Sequence, residues 1–318
     1  MLEIISQQTR QLEAFRADVA LGLSQDRKRL PSRWLYDNRG CEIFEEITRL
    51  EEYYPTRTET AILRGNAREI ADFCGEKAVL LEYGAGAGIK TEIVIDALDR
   101  PKLYVPIDIA GEFLDETVVR MRERFPELQT LPVVADFTQE FEIPRGVPAA
   151  PRSAFFPGST MGNLDAHECK RFLRQVRRHV GSRGTAVIGV DLKKDLATLL
   201  PAYDDREGVT AAFNLNMLTR INRELDGDFS VERFAHEARW SEAESAVEMH
   251  LVSLRDQLVT VGGQRFAFRA GETIHTESSR KYDVRSFMEV VEEGRWRVSA
   301  VWSDADRRFA VFGLDATW

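Results

Sequence analysis

Glu82-Tyr83-Gly84-Ala85-Gly86-Ala87-Gly88 is the stretch with the clearest chemical content in this sequence. Glycines at alternate positions let a backbone turn sharply and approach a ligand with no Cβ in the way. The apolar run 78–84 predicts a strand and the run 89–98 a helix, so the turn sits at the carboxyl end of a strand. Two phosphate-binding patterns fail here. A dinucleotide G-x-G-x-x-G needs glycine at 89, which is Ile89. A P-loop needs Gly-Lys-Ser/Thr in succession, and Ile89 separates Gly88 from Lys90 and Thr91. An acidic-x-G-x-G-x-G pattern fits without adjustment. Taken alone, the turn also suits a tight strand-to-helix connection that binds nothing.

Two further strand ends carry acids. Asp108 closes the run 103–108, 24 residues after Gly84 (108 − 84). A carboxylate there can accept from both hydroxyls of a ribose, a feature that dehydrogenases share. Asp136 and Phe137 close the run 130–136. That pair can bind the amino group of adenine and pack on its ring, although Asp136 also suits a turn cap. With the acidic-x-G-x-G-x-G turn, which methyltransferases carry, the set predicts a site for S-adenosylmethionine.

The elements that must position these residues alternate. Strands are predicted at 78–84, 103–108, 130–136, 153–159 and 185–191. Helices are predicted over 89–98, 112–125 and 165–180, the last capped by Asp165. Upstream, 2–30 and 58–73 read as helices, and 33–55 as short amphipathic pieces rich in aromatics. The βαβα order predicts an α/β fold with a parallel, doubly wound sheet. A helix over 284–293 and two strands at 296–302 and 308–314 predict a closing antiparallel hairpin, the Rossmann-like class I methyltransferase pattern. Residues 194–280 break the rhythm. A helix over 209–225 precedes strand-like runs at 246–254, 257–263 and 265–271. This insertion follows the fifth strand, near the strand ends where open α/β sheets bind ligands, so acceptor recognition is its expected work.

Composition bounds the alternatives. The chain has 318 residues, 43% hydrophobic and 30% charged, with a net charge of −9 and a pI near 5.3. Such a balance argues against a non-specific nucleic-acid binder. No run of about 18 apolar residues and no signal-peptide core is visible, so neither a membrane span nor export is expected. Cys41, Cys74 and Cys169 form no CxxC pair, which predicts free thiols and a cytoplasmic protein. His167 and Cys169 resemble half of a metal site, but no second pair accompanies them, and the histidines at 179, 236, 250 and 275 are scattered. No metal is expected.

The sequence resembles the histidine-specific methyltransferases, the L-histidine Nα-methyltransferases of ergothioneine biosynthesis. The segments that carry the resemblance span nearly the whole chain: WLYDNRG (34–40), EEYYPTRTE (51–59), EYGAGAGIKT (82–91), YVPIDI (104–109), ADF (135–137), FFPGSTMGNLD (155–165), DLKKD (191–195), AYDDREGVTAAFNLNMLTRINREL (202–225), EMHL (248–251) and ETIHTESSRKY (272–282). The resemblance implies a discontinuous α+β substrate-binding domain, 1–56 with 194–280, and a cofactor domain, 57–193 with 281–318. It implies S-adenosylmethionine as donor, bound by Gly84, Lys90, Asp108, Asp136, Phe137 and Gly158. It implies histidine as acceptor, bound by Tyr53, Asn163, Tyr203, Met249, Glu277 and Ser279, with Tyr36 and Asn163 nearest the reacting amine. Three successive methylations to hercynine by a monomer, with no membrane or nucleic-acid partner, complete the expectation. The sequence departs from the family in its alanines at 85 and 87, where members carry serines, at Met161, and at Ser278 and Arg280.

Methyl transfer asks mainly for alignment and exclusion of water. The acceptor amine must be neutral, and polar uncharged residues such as Asn163 and Tyr203 orient it without holding its proton, so no strong general base is expected. Glu277 and Ser279 lie two apart and share a face if the segment is extended. A neutral imidazole offers one N–H and one bare nitrogen. A carboxylate accepts from the first and a hydroxyl donates to the second. The bland alternatives are a solvated polar turn for Glu277 and Ser279, core aromatics for Tyr53 and Tyr54, core packing for Met217 and Met249, and solvated or locally paired side chains for Lys193 and Lys194. Competing functions are methylation of another amino acid or amine, a cofactor-binding module without turnover, and a nicotinamide-dependent oxidoreductase. Ile89 and the closing hairpin speak against the last.

Overall fold

Each residue of Val79–Tyr83 is buried, as expected for a parallel strand covered on both faces. The computed structural model describes residues 2–148 and 150–316. By its internal contacts the chain divides into two units, Met1–Tyr53 with Leu196–Ser278, and Tyr54–Asp195 with Ser279–Trp318. The strands in chain order are β1 (Lys28–Arg29), β2 (Val79–Tyr83), β3 (Leu103–Asp108), β4 (Gln129–Thr130), β5 (Val133–Val134), β6 (Arg152–Phe156), β7 (Thr185–Asp191), β8 (Phe234–Ser241), β9 (Ala246–Ser253), β10 (Gln257–Val261), β11 (Gln264–Phe268), β12 (Thr273–Arg280), β13 (Arg297–Ser303) and β14 (Phe309–Asp315).

The second unit is built on an eight-stranded sheet in the order β13-β14-β7-β6-β2-β3-β4, with β5 also paired to β3. Strands β3, β2, β6 and β7 run parallel. Strand β14 is antiparallel to β7 and β13 antiparallel to β14. This is the Rossmann-like sheet closed by an antiparallel hairpin that the alternation predicts. Side chains leave the pleat to opposite faces with period two. Tyr83, Val105, Phe156 and Ile188 therefore enter one core with Phe172, Phe287 and Trp296. Leu80, Tyr104, Phe155 and Val187 enter the other with Ile62, Ile70 and Val94.

Helix Ala166–Val180 starts where the sequence places its cap. Asp165 accepts from the backbone N–H of Glu168 at 2.8 Å, and Glu168 accepts from that of Asp165 at 2.9 Å. Asp165→Ala removes one half of this reciprocal pair and is expected to cost about 1 kcal/mol of stability, read as a lower denaturation midpoint in urea.

Several boundaries differ from expectation, each for a local reason. The first helix is Leu2–Leu23, not 2–30. A Cβ on Gly22 would sit 1.9 Å from the carbonyl oxygen of Arg29, so the chain doubles back there and 28–29 become β1. The helix expected over 58–73 is two, Tyr54–Gly65 and Ala67–Cys74, because Asn66 leaves helical backbone and its side chain donates to Ile62 O at 2.8 Å. The third strand is interrupted into β4 and β5 at Pro132, which has no N–H for the ladder. The fourth strand stops at Phe156, ahead of Pro157 and of Ser159 at φ 59°.

The first unit has a four-stranded sheet, β1-β12-β9-β8, and a separate β10-β11 hairpin. Strands β8 and β9 pair antiparallel over their whole length, and β8 has no counterpart in the sequence expectation. Helix Val209–Leu225 packs on β8 and β9. It buries Phe213, Met217, Leu218, Ile221 and Leu225, a stripe at helical spacing. Among the described residues, no helix is long and apolar enough to cross a membrane.

Candidate active site

The glycine turn follows β2 and opens helix Ile89–Ala97. Gly84, Gly86 and Gly88 have φ of 68°, 48° and 67°, a region that side chains with a Cβ rarely enter. The N–H of Gly84 donates to Ile107 O at 2.8 Å, which ties the turn to the end of β3. Glu82, the acidic member of the motif, is buried below the turn. It accepts from the hydroxyls of Thr91 and Tyr104, so it braces the turn from within. Burial pushes its carboxyl up to about 8, against the pull of those two hydrogen bonds. A carboxyl whose folded value is raised keeps its proton where the unfolded chain has already lost it. Stability therefore falls as pH rises from the ordinary glutamate range toward 8, by at most about 1.4 kcal/mol per pH unit. Glu82→Gln is expected to remove this part of the slope, checked by denaturant unfolding of both proteins at about pH 5 and about pH 8.

The residues expected to bind the donor lie in the second unit. Asp108 Oδ2 accepts from Gly86 N–H at 3.1 Å and Oδ1 from Ala110 N–H at 3.0 Å. Its pKa is raised, first by burial. The Phe137 ring lies 3.6 Å from where a Cβ on Gly84 would stand, with Phe156 and Phe172 edge-on behind it. Asp136 Oδ1 accepts from the N–H and the hydroxyl of Thr138, at 2.9 and 2.6 Å, and so closes a turn. Lys90 Nζ donates to Glu59 at 2.6 Å, and Gly158 N–H donates to the same carboxylate at 2.8 Å. Lys90 and Gly158 are thus joined through Glu59, a fully buried acid that the sequence reading did not single out. A glycine turn without Cβ atoms, an acid at the end of β3 and an aromatic face beside Gly84 fit an adenosyl group.

Asn163 ends the short 3-10 helix Thr160–Asn163. A Cβ on the preceding Gly162 would lie 2.7 Å from Arg280 O and 3.5 Å from Ser279 Oγ, so the backbone just ahead of Asn163 runs against Ser279 and Arg280. Ser279 Oγ accepts from Lys281 Nζ at 2.9 Å. Lys281 also pairs with Asp191 at 2.8 Å, both side chains fully buried. Asp191 accepts further from the Tyr54 hydroxyl at 2.7 Å and from Lys194 at 2.7 Å. Burial depresses the Lys194 ammonium below its ordinary value, with Asp191 pulling the other way. Of the two adjacent lysines, Lys194 takes the locally paired alternative in a buried form, whereas Lys193 is half-exposed, 4.0 Å from Asp283. Lys281 and Asp191 escaped the sequence reading. The only signal was parity, since 277, 279 and 281 share a face of an extended segment.

Of the residues expected to bind the acceptor, Tyr36, Tyr53 and Tyr203 of the first unit gather with other aromatic rings. Tyr36 packs edge-on against Phe44 and Phe213, with centroids 5.7 and 5.4 Å away. Tyr53 meets Phe44 at 6.1 Å and Tyr203 at 6.2 Å. The Tyr36 hydroxyl donates to Glu277 Oε1 at 3.3 Å. Burial, then the Glu277 charge, pushes the Tyr36 phenol well above its ordinary value, so at neutral pH it is a donor and not a base. Glu277 is only 6% exposed and Ser279 3%, which removes the solvated-turn alternative. Met249, on β9, is buried, and its carbonyl accepts from Thr276 at 3.1 Å. Tyr203 is anchored by its own backbone. Its carbonyl accepts from His236 Nε2 at 2.8 Å, and Asn214 Nδ2 lies 2.9 Å from His236 Nδ1. A carbonyl only accepts, so His236 carries its proton on Nε2 and takes the amide hydrogen on Nδ1.

Cys41, Cys74 and Cys169 are free and buried, and among the described residues no group of His, Cys, Asp and Glu is arranged to hold a metal. A profile of the histidine-specific, SAM-dependent methyltransferases matches residues 15–316. The histidine N-α-methyltransferase of Mycobacterium tuberculosis is 41% identical over 275 residues, covering 85% of this chain and 84% of the relative. That of Mycolicibacterium smegmatis is 37% identical over 298 residues, covering 92% of each. Ergothioneine biosynthesis protein 1 of Neurospora crassa is 29% identical over 264 residues, covering 80% of this chain and 30% of that protein.

Proposed function

We propose that this chain, which belongs to the histidine-specific, S-adenosylmethionine-dependent methyltransferase family, methylates the α-amine of L-histidine three times to give hercynine, the first step of ergothioneine biosynthesis. The observation that carries the acceptor assignment is the buried Glu277 carboxylate, held by the Tyr36 hydroxyl, on the same strand as the buried hydroxyl of Ser279. A buried carboxylate accepts from a ring N–H, and the imidazole carries one. Relatives named for histidine methylation and for ergothioneine biosynthesis support the same acceptor and pathway. The three buried free thiols support a reducing compartment, the cytoplasm.

S-adenosylmethionine supplies a methyl group on a cationic sulfur, open to direct displacement by an amine. The chain's own residues do the rest. Asp108 takes the ribose hydroxyls, Asp136 and Phe137 take the adenine, and Gly84 gives the backbone its close approach, with Lys90 and Gly158 completing the donor side. Tyr53, Tyr203 and Asn163 orient the amino acid, and Met249 lines the wall beside its ring. The aromatic group around Tyr36 disfavours a charged amine by desolvation, which leaves the nitrogen lone pair available. Uncharged neighbours also let the amine rotate between successive transfers. Orientation and exclusion of water are therefore the main sources of rate.

The test is a panel of free amino acids and small amines with the donor, scored by release of S-adenosylhomocysteine. Histidine is expected to dominate. Comparable turnover of several others, with histidine inert, would overturn the assignment.

A further inference from the structure

We propose that Thr117 is a positioning residue for the donor. Its hydroxyl fixes the conformation of Gly86 and, through the Gly86 N–H, aims the Asp108 carboxylate at the ribose. The role rests on the assignment of Asp108 to the ribose hydroxyls given above.

Three glycines in five residues leave the turn 84–88 with wide conformational freedom. Ala85 and Ala87, its other members, carry no polar side-chain atom that could hold it. The N–H groups of Gly84 and Ala85 both donate to Ile107 O, which ties the start of the turn to β3. The shape at Gly86, with φ 48°, is set by two further bonds. Its N–H donates to Asp108 Oδ2 at 3.1 Å, and its carbonyl accepts from Thr117 Oγ1 at 2.7 Å. With the peptides on both sides tied, the residue between them keeps one conformation.

Thr117 lies inside helix Gly111–Arg124 and is only 1% exposed. Threonine is a weak helix former, and in a helix its hydroxyl can bond a carbonyl of the preceding turn. The Thr117 hydroxyl crosses instead to the glycine turn, where water does not compete with it. Its methyl is engaged there as well, 3.1 Å from where a Cβ on Gly88 would stand. Arg120, next along the same face of the helix, donates to Ala87 O and pairs with Glu92 at 3.6 Å. One helix thus holds residues 86, 87 and 88.

Asp108 is the far end of this chain of contacts. Its Oδ1 accepts from Ala110 N–H at 3.0 Å, and the Ile109 backbone adds a third bond. A carboxylate oriented before the ligand arrives loses little further freedom on binding. Without the Thr117 hydroxyl, Gly86 is tied on one side only, and Oδ2 loses its fixed partner. The loss then falls on the ribose hydroxyls and not on the adenine, which is assigned to Asp136 and Phe137.

The experiment titrates S-adenosylhomocysteine and its 2′,3′-dideoxy analogue by calorimetry. Thr117→Val keeps the methyl contact and removes the hydroxyl. It is expected to raise Kd for S-adenosylhomocysteine about tenfold and for the dideoxy analogue less than about threefold. Thr117→Ser keeps the hydroxyl and removes the methyl, and both ligands should stay within about threefold of wild type. Equal losses for the two ligands, no loss in Thr117→Val, or a Thr117→Ser loss that matches that of Thr117→Val would each overturn the role of Thr117. Asp108→Ala should weaken S-adenosylhomocysteine far more than the dideoxy analogue. An equal loss there would sink the assignment of Asp108, and this inference with it. Should Thr117→Val not fold, Thr117→Cys, whose thiol is a weak donor, carries the same comparison. A smaller loss confined to S-adenosylhomocysteine is then expected, and equal losses again overturn the role.

Discussion

Glu277→Ala is expected to lower kcat/KM for histidine by about 10³-fold or more, with affinity for S-adenosylmethionine changed less than about twofold. The carboxylate is buried, so a charge-assisted hydrogen bond to it from a ring N–H is of the strong kind, and removal leaves at least two groups unmet. One is the imidazole N–H. Another is the Tyr36 hydroxyl, which donates to Glu277 Oε1. Glu277→Gln keeps the shape and one carbonyl oxygen but loses the charge, so an intermediate loss of about 10- to 100-fold is expected. Steady-state kinetics for histidine and calorimetry for the donor separate the two substrates. Equal weakening of both would place Glu277 outside the acceptor pocket.

Gly189→Ala is expected to destabilise the chain by about 2–4 kcal/mol and to abolish tight donor binding. Gly189 lies in the middle of β7, where a Cβ would stand 1.8 Å from Glu59 Oε1. The added methyl must expel that carboxylate from a site where it is fully buried. Lys90 would then lose its partner, and the Gly158 N–H its acceptor. Phe309 offers no space either, with its ring 3.1 Å from the same point. A urea denaturation curve and a donor titration report the two effects. A protein with wild-type stability and donor affinity would show that the link from Glu59 to Lys90 and Gly158 is dispensable. Glu59→Gln gives the complementary result, because it keeps the packing and removes only the charge. Its loss of donor affinity should therefore exceed its loss of stability.

Gly189 also marks how far the sequence could be read. A glycine inside a strand points to a close approach, but the approaching residue lies 130 positions earlier (189 − 59), and no local pattern names it. The sheet was legible because a buried parallel strand is an apolar run of fixed length between a turn and a helix. Thus 103–108 and 185–191 coincide with β3 and β7. The glycine turn was legible because its chemistry is local. Where tertiary contact overrides local pattern, the reading failed. Lys28 and Arg29 leave the helical pattern to pair with Ile274 and His275, and β8, with every position after Phe234 half-exposed, gave no apolar alternation to find. The donor-side set at strand ends was accessible from residue type and order. The buried charges behind the site, Glu59 against Lys90 and Gly158 and the Asp191–Lys281 pair against Ser279, were not. Buried charges are uncommon and are recognisable only with their partners.

The most direct measurement follows the product of histidine and S-adenosylmethionine by mass spectrometry with fragmentation. Mono-, di- and trimethylated species should appear in turn and stop at three, with each methyl group on the α-nitrogen and the imidazole ring unsubstituted. Methyl groups on a ring nitrogen, or no trimethylated histidine while other amines are consumed, would contradict the assignment.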